Sequence, residues 1–166
     1  MSTTYKHVSL TGYRIYPADC KEHIQSVRSL FLRYADSLDF DLDFQDFDRE
    51  LDTLSGAYAP PEGTLLLAEI NGRHVGCVGV RPLEKDICEM KRLYVEPEAR
   101  GIHLGRGLAK AGIRSARKMG YLAMRLDTIG TMTEAITLYR SLGFRPIPPY
   151  RPNPIPSAQY FELLLS

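Results

Sequence analysis

Arg100 and Arg106 stand beside Gly101 and Gly105 in a stretch, residues 91–108, that reads as a strand, a sharp turn and the opening of a helix. A helix start leaves backbone N–H groups unpaired and carries partial positive charge. Glycine lets the backbone come close to a ligand. The two guanidiniums add fixed charge and forked donors. The chemistry that suits this spacing is the binding of a pyrophosphate. Two familiar phosphate loops fail on spacing. A Walker A loop needs Gly-Lys-Ser/Thr after four intervening residues, and here Gly105 is followed by Arg106-Gly107. A dinucleotide fingerprint begins at Gly105-Arg106-Gly107, but Lys110 occupies the place of its third glycine.

What remains is Arg100-Gly101-Ile102-His103-Leu104-Gly105, followed by a second motif, Ala135-Ile136-Thr137-Leu138-Tyr139-Arg140-Ser141-Leu142-Gly143-Phe144. The first resembles the acyl-CoA loop of the GNAT N-acetyltransferase superfamily, Gln/Arg-x-x-Gly-x-Gly/Ala. The second resembles that family's Ala-x-x-Leu-Tyr-x-x-x-Gly-Phe helix. Two positions depart from the pattern: His103 replaces the middle glycine, and Met132 stands where an asparagine is frequent, seven residues before the tyrosine.

The resemblance implies acetyl-CoA as co-substrate, no metal, and transfer of an acetyl group to a primary amine by direct attack on the thioester. It implies cofactor contacts from Leu93, Tyr94 and Val95 on the strand, and from Arg100, Gly101, Ile102, His103, Leu104, Gly105, Arg106 and Gly107 in the loop and helix start. A backbone N–H of residues 93–95 would meet the oxyanion. Tyr139 is then the general acid that protonates the CoA thiolate. A thiol pKa of about 8.5 and a phenol pKa of about 10 make that transfer mild. The competing role for Tyr139 is a core tyrosine packed with Ile136 and Leu142. An amine is mostly protonated at neutral pH, so a carboxylate must take a proton. Glu89, six residues before Val95, falls at the family's offset for a strand base; the alternative is an ion pair with Lys91 or Arg92. Strand alternation puts Glu89, Lys91, Leu93 and Val95 on one face. His103 is read as a loop residue over the pyrophosphate, because the helix dipole disfavours its protonation. His7, His23 and His74 are scattered and suggest no metal site.

The elements that must position these groups can be read along the chain. Residues 13–16 form a short strand closed by Pro17. Residues 21–36 carry Ile24, Val27, Leu30, Phe31 and Tyr34 at helical spacing. A short helix is expected around 46–54. Strands at 64–70 and 74–83 meet at Asn71-Gly72, a hairpin signal, and a further strand spans 86–95. A helix over 104–119 ends at Gly120, a strand spans 122–128, a helix over 133–142 stops at Gly143, and a strand spans 144–147. A proline-rich loop leads to a last strand over 159–165. This is the GNAT order. It implies an α/β (α+β layered) GNAT acyltransferase fold: a mixed, mostly antiparallel sheet of about seven strands flanked by about four helices. Residues 1–166 form a single GNAT N-acetyltransferase domain in this reading.

Composition bounds the partners. A net charge of +1 over 166 residues implies no nucleic acid and no membrane surface. The first ten residues lack a signal-type apolar run, and Cys20, Cys77 and Cys88 have no metal-ligand spacing, so a cytoplasmic location is expected. The acceptor is less legible. Residues 36–52 hold eight carboxylates against Arg49, with Phe40, Phe44 and Phe47 interleaved. This is an entrance suited to a cationic amine, or else a solvated acidic loop. Tyr150, Arg151 and Asn153 could close the other wall, and Arg151 could take an acceptor carboxylate. A small-molecule amine, an amino acid and a peptide acceptor all stay open, as does a homodimer. The rival classes are an acyl-CoA-binding regulatory module without turnover and a nucleotide-binding protein.

Overall fold

The computed structural model describes residues 12–166, without the side chain of Phe44. The expectation for residues 1–10, and His7, fall outside the described residues. The order is β1 (Arg14–Pro17), α1 (Lys21–Ser37), α2 (Phe47–Asp52), β2 (Thr64–Ile70), β3 (Arg73–Glu84), β4 (Ile87–Val95), α3 (Leu104–Lys118), β5 (Ala123–Ile129), α4 (Thr133–Ser141), β6 (Arg145–Ile147) and β7 (Ala158–Leu164). The strands form one sheet in the order β1-β2-β3-β4-β5-β7-β6. Only β4 and β5 run parallel; the other neighbours are antiparallel.

Local chemistry explains the hairpins and stops. Asn71 (φ 51°) and Gly72 (φ 80°) both take positive φ, the geometry a two-residue turn needs to follow strand twist. The helical spacing of α1 buries Val27, Leu30 and Phe31 against one side of the sheet. The apolar stripe of α3, including Leu104, Leu108 and Ala116, buries against the other. Each side of the sheet therefore has its own core. Among the described residues no helix is long and apolar enough to cross a membrane.

The expected alternation along β4 fails at Arg92. This residue has φ 60°, and the β3–β4 register jumps from Cys77↔Tyr94 to Gly79↔Lys91. Arg92 and Leu93 together oppose Val78, which is a β-bulge. Cys88, Met90, Leu93 and Val95 consequently pack on the α3 side, while Tyr94 joins the α1 side. Glu89 and Lys91 do not share a face with Leu93 and Val95: one extra residue exchanges the faces. The Arg92 carbonyl freed by the bulge accepts the Cys77 thiol at 3.4 Å.

The histidines differ from expectation too. His23 and His74 have ring centroids 5.5 Å apart, and the Tyr16 hydroxyl lies 2.6 Å from His74 Nε2. Asp19, Cys20 and His23 bring one donor atom each within 4.8 Å, but at the start of α1, where the helix dipole opposes a cation.

Gly79 shows how the fold makes room for a buried ring. Tyr58, buried, lies across it, so that a Cβ on Gly79 would sit 2.5 Å from Tyr58 Cε1. The Tyr58 hydroxyl in turn donates to Glu50 Oε1 at 3.0 Å. Gly79→Ala is expected to destabilise the protein by about 1–3 kcal/mol, the usual cost of overpacking. Thermal or denaturant melting will measure it, and an unchanged midpoint would show that the Tyr58 ring is free to move.

Candidate active site

β4 and β5 pair over three residues, Ile87↔Ala123, Cys88↔Met124 and Glu89↔Arg125, and then part. Beyond the fork lies a cleft of about 890 Å³. Four structures meet there: the bulged end of β4, the start of α3, the far half of β5 and the start of α4.

The α3 start forms the anion-binding wall. Gly101 (φ 89°) turns the chain, and His103 is the N-cap residue, with φ 61° and ψ 26°. A left-handed residue other than glycine costs about 1–2 kcal/mol, and His103 accepts that conformation in the position where the family motif has glycine. Gly107 N–H donates to the His103 carbonyl at 3.0 Å, the first bond of the helix, so the N–H groups of residues 104–106 precede the ladder. Gly101, His103, Leu104, Gly105 and Arg106 all line the cleft. Arg100 Nε donates to the Val95 carbonyl at 3.0 Å, and Arg106 Nη1 donates to Ser141 Oγ at 2.8 Å. Both arginines are therefore folded onto the rim.

Tyr139 comes from α4 and faces the same space. Its position follows from how that helix ends. Gly143 (φ 98°) allows Phe144 N–H to reach the Tyr139 carbonyl (3.0 Å), and Gly143 N–H to reach that of Arg140 (3.0 Å). This is a Schellman cap. Its usual apolar contact is here the Tyr139–Phe144 ring pair, edge to face at 5.8 Å. The spacing Leu-Tyr-x-x-x-Gly-Phe is thus the physical specification for holding one phenol in place. Burial, together with nearby Tyr34 and Asp127, raises the Tyr139 pKa, so the phenol stays protonated. Its hydroxyl makes no hydrogen bond to another described residue.

The face of β4 away from α3 is charged. Glu89 is fully buried, and both its oxygens are taken. Oε1 accepts from Arg81 Nε (3.1 Å) and Nη2 (3.0 Å); Oε2 accepts from the Tyr150 hydroxyl (2.7 Å) and from Arg151. Burial raises its pKa, but Lys91, Arg151, Arg81 and the Tyr150 hydrogen bond outweigh this and hold it below the ordinary value. Glu89 does not line the cleft. Lys91, also buried, donates to Gln45 Oε1 at 3.0 Å and faces Asp127 Oδ1 at 3.4 Å across the fork. Burial lowers its pKa to about 8 against the pull of Asp127 and Glu89. Arg92 is held by Glu50 Oε2 at 3.0 Å and lies over the rings of Tyr34 and Phe47. Asp127 Oδ2 and Arg92 Nη2 have no partner among the described residues.

Comparison with known proteins agrees with this architecture. The model of the acetyltransferase (GNAT) family matches residues 24–144. The chain belongs to the GNAT acetyltransferase family. An uncharacterized N-acetyltransferase of Schizosaccharomyces pombe is 42% identical over 147 residues, covering 87% of this chain and 90% of that protein. A GNAT-family acetyltransferase of Staphylococcus aureus superposes with a TM-score of 0.77 at 20% identity, covering 93% and 100% of the two chains. A putative acetyltransferase of Salmonella typhimurium, solved with acetyl-CoA, gives 0.67 at 22% identity, covering 93% and 95%. The protein is an acetyltransferase, and the acyl donor of its family is acetyl-CoA.

Most of the residues read from the GNAT motifs are brought together. Leu93, Tyr94, Val95, Arg100, Gly101, His103, Leu104, Gly105, Arg106 and Tyr139 line one cleft, whereas Ile102 packs into the core. Gly107 lies under the Tyr13 hydroxyl, 2.6 Å from where a Cβ would be. Met132 is the N-cap of α4 and accepts the Thr128 hydroxyl on its sulfur at 3.4 Å. The aspartates of residues 36–52 are exposed and do not line the cleft, which that segment meets with Phe40, Leu42 and Gln45. The acidic entrance is therefore a solvated loop. Lys91, Arg92 and Asp127 had not been singled out as site residues. The sequence signal available was charge inside two central strands, which also carry Glu89 and Arg125.

At Gly105 an added Cβ would meet nothing closer than Val95 Cγ2 at 3.9 Å, so the fold tolerates a side chain there. The methyls of Gly105→Val would instead enter the cleft. This variant is expected to melt like the parent and to bind CoA about tenfold more weakly or worse, by calorimetry.

Proposed function

We propose that the protein moves an acetyl group from acetyl-CoA to a primary amine, which attacks the thioester directly inside the cleft at the β4–β5 fork. The observation that carries this reading is the Tyr139 phenol. It is capped into position, kept protonated by burial, and without a hydrogen-bond partner among the described residues, beside the anion-binding helix start. The residues fit the donor: free N–H groups at the α3 start suit a pyrophosphate, and the bulge leaves the end of β4 unpaired on the β5 side. A module that only bound acyl-CoA would have no use for a phenol held in this way.

The proton balance assigns the roles. The acceptor ammonium loses one proton before attack and the new amide nitrogen loses a second; the departing thiolate gains one, from Tyr139, and one proton leaves to solvent. The phenolate recovers its proton from the second of these. A backbone N–H in residues 93–95 would meet the oxyanion, where the bulge turns the strand. Two carboxylates compete to take the first proton. Glu89, the family-offset base, is spent on two arginines and a tyrosine and would act only through the Tyr150 hydroxyl. Asp127 lines the cleft with an oxygen unpartnered. Asp127 therefore receives the proton, and Glu89 fixes Tyr150 and Arg151.

Two kinetic outcomes follow. Tyr139→Phe is expected to lower kcat by about 100-fold or more while acetyl-CoA affinity holds. Parent-like turnover would make Tyr139 a packing residue. In pH–rate profiles, Asp127→Asn should lose most rate at low pH and recover as the amine deprotonates by itself. Glu89→Gln should instead lower rate evenly across pH and lower the melting temperature, since breaking a buried pair costs about 3–5 kcal/mol. The reverse pattern would return the base to Glu89.

A further inference from the structure

The ion pairs beneath the cleft form a chain with unequal numbers of charges. Arg92 pairs with Glu50, Glu50 with Arg81, Arg81 with Glu89, and Glu89 with Arg151. Both ends are arginines, so three guanidiniums share two carboxylates and one positive charge is left over. Lys91 and Asp127 add one charge of each sign beside the chain and leave that surplus unchanged. A surplus charge in a largely buried network is costly unless something neutralises it.

One end of the chain, Arg92, comes to the cleft. The Arg92 side chain is 2% exposed, lines the cleft and keeps Nη2 without a partner. Pinned by Glu50 and flanked by Tyr34 and Phe47, it cannot turn away to water. The Asp127 side chain, 5% exposed, pairs through one oxygen with the lysine adjacent in sequence to Arg92, and its other oxygen is unpartnered. Both residues line the same recess, and each keeps one buried polar atom without a partner among the described residues: a guanidinium nitrogen on Arg92 and a carboxylate oxygen on Asp127. A simple amine satisfies only Asp127. A peptide N-terminus has its carboxyl tied up in an amide and satisfies the same group alone. A free amino acid satisfies both.

Resting on the acetyl-transfer reading above, we propose that the acceptor is a small zwitterion of the amino-acid kind. Its carboxylate is taken by the Arg92 guanidinium, and its amine is delivered beside Asp127. Neutralising the ion-pair chain and aligning the nucleophile are then one event: Arg92 fixes the carboxylate, and the amine beside it turns toward the thioester. The products are the N-acetylated acid and free CoA, with the C–N bond formed as the C–S bond breaks.

The test is a thiol-release assay with acetyl-CoA and matched trios of acceptors: an amino acid, its amide and its decarboxylated amine, repeated over several side chains. The amide has the less basic amine and is more often neutral near pH 7.5, so intrinsic reactivity favours the amide. The proposal expects the amino acid to lead in kcat/KM by about 10- to 100-fold, the worth of a charged hydrogen bond. Arg92→Met should erase that lead through KM and leave acetyl-CoA affinity unchanged by calorimetry. Arg92→Lys, which keeps the charge, should retain part of it and serves if the methionine variant does not fold. An amide or amine that matches or exceeds its amino acid in the parent protein overturns the proposal while leaving acetyl transfer intact. No thiol release from any acceptor, with acetyl-CoA bound, overturns the transferase reading and the proposal with it.

Discussion

β4 and β5 exchange hydrogen bonds over three residue pairs and then separate, and each part of the site is placed by that parting. A parallel pair that stayed zipped would consume the backbone groups along the end of β4 and leave no cleft beyond them. The bulge at Arg92 works with the fork. It turns Leu93 and Val95 toward α3 and leaves Glu89 and Lys91 on the opposite face among the ion pairs, so the two faces of one strand differ in chemistry. The helix start of α3 lies on one side of this strand and the ion-pair floor on the other.

The fold was legible because its punctuation is local. Asn71-Gly72 demands a tight hairpin, Gly143 demands a helix stop, and the apolar spacing of α1 and α3 demands two packed faces. The anion-binding wall was legible for the same reason, since glycines and arginines at a helix start lie within a few residues of one another. The bulge was not. A positive φ at an arginine has no local signature, and the error it caused, placing Glu89 with Leu93 and Val95, is what a strict period of two must produce when one residue is inserted.

The charged floor was illegible for another reason. Glu89 meets Tyr150 and Arg151 from more than sixty positions away, and Arg92 meets Glu50 across forty-two. Such partners depend on how a loop and a short helix fold back over the sheet, which no spacing rule encodes. From its place six residues before Val95, Glu89 could be read as a strand base or as a member of an ion pair, and the sequence displays no more than that. Its surroundings occupy both of its oxygens, with Arg81 on one and Tyr150 and Arg151 on the other. Asp127 looked like one more strand residue, and its environment leaves it open.

The sheet order also bears on self-association. Among the described residues its two edges are β1 and β6, of four and three residues, and each carries a proline: Pro17 at the end of one and Pro146 in the middle of the other. Proline offers no N–H to an incoming strand, and short edges give such a strand little to grip. The sheet is thus poorly suited to growth by strand addition at either side. A second copy of the chain, if it docks, must do so through helix faces and loops, leaving the edges as boundaries that guard the fold against runaway β-pairing.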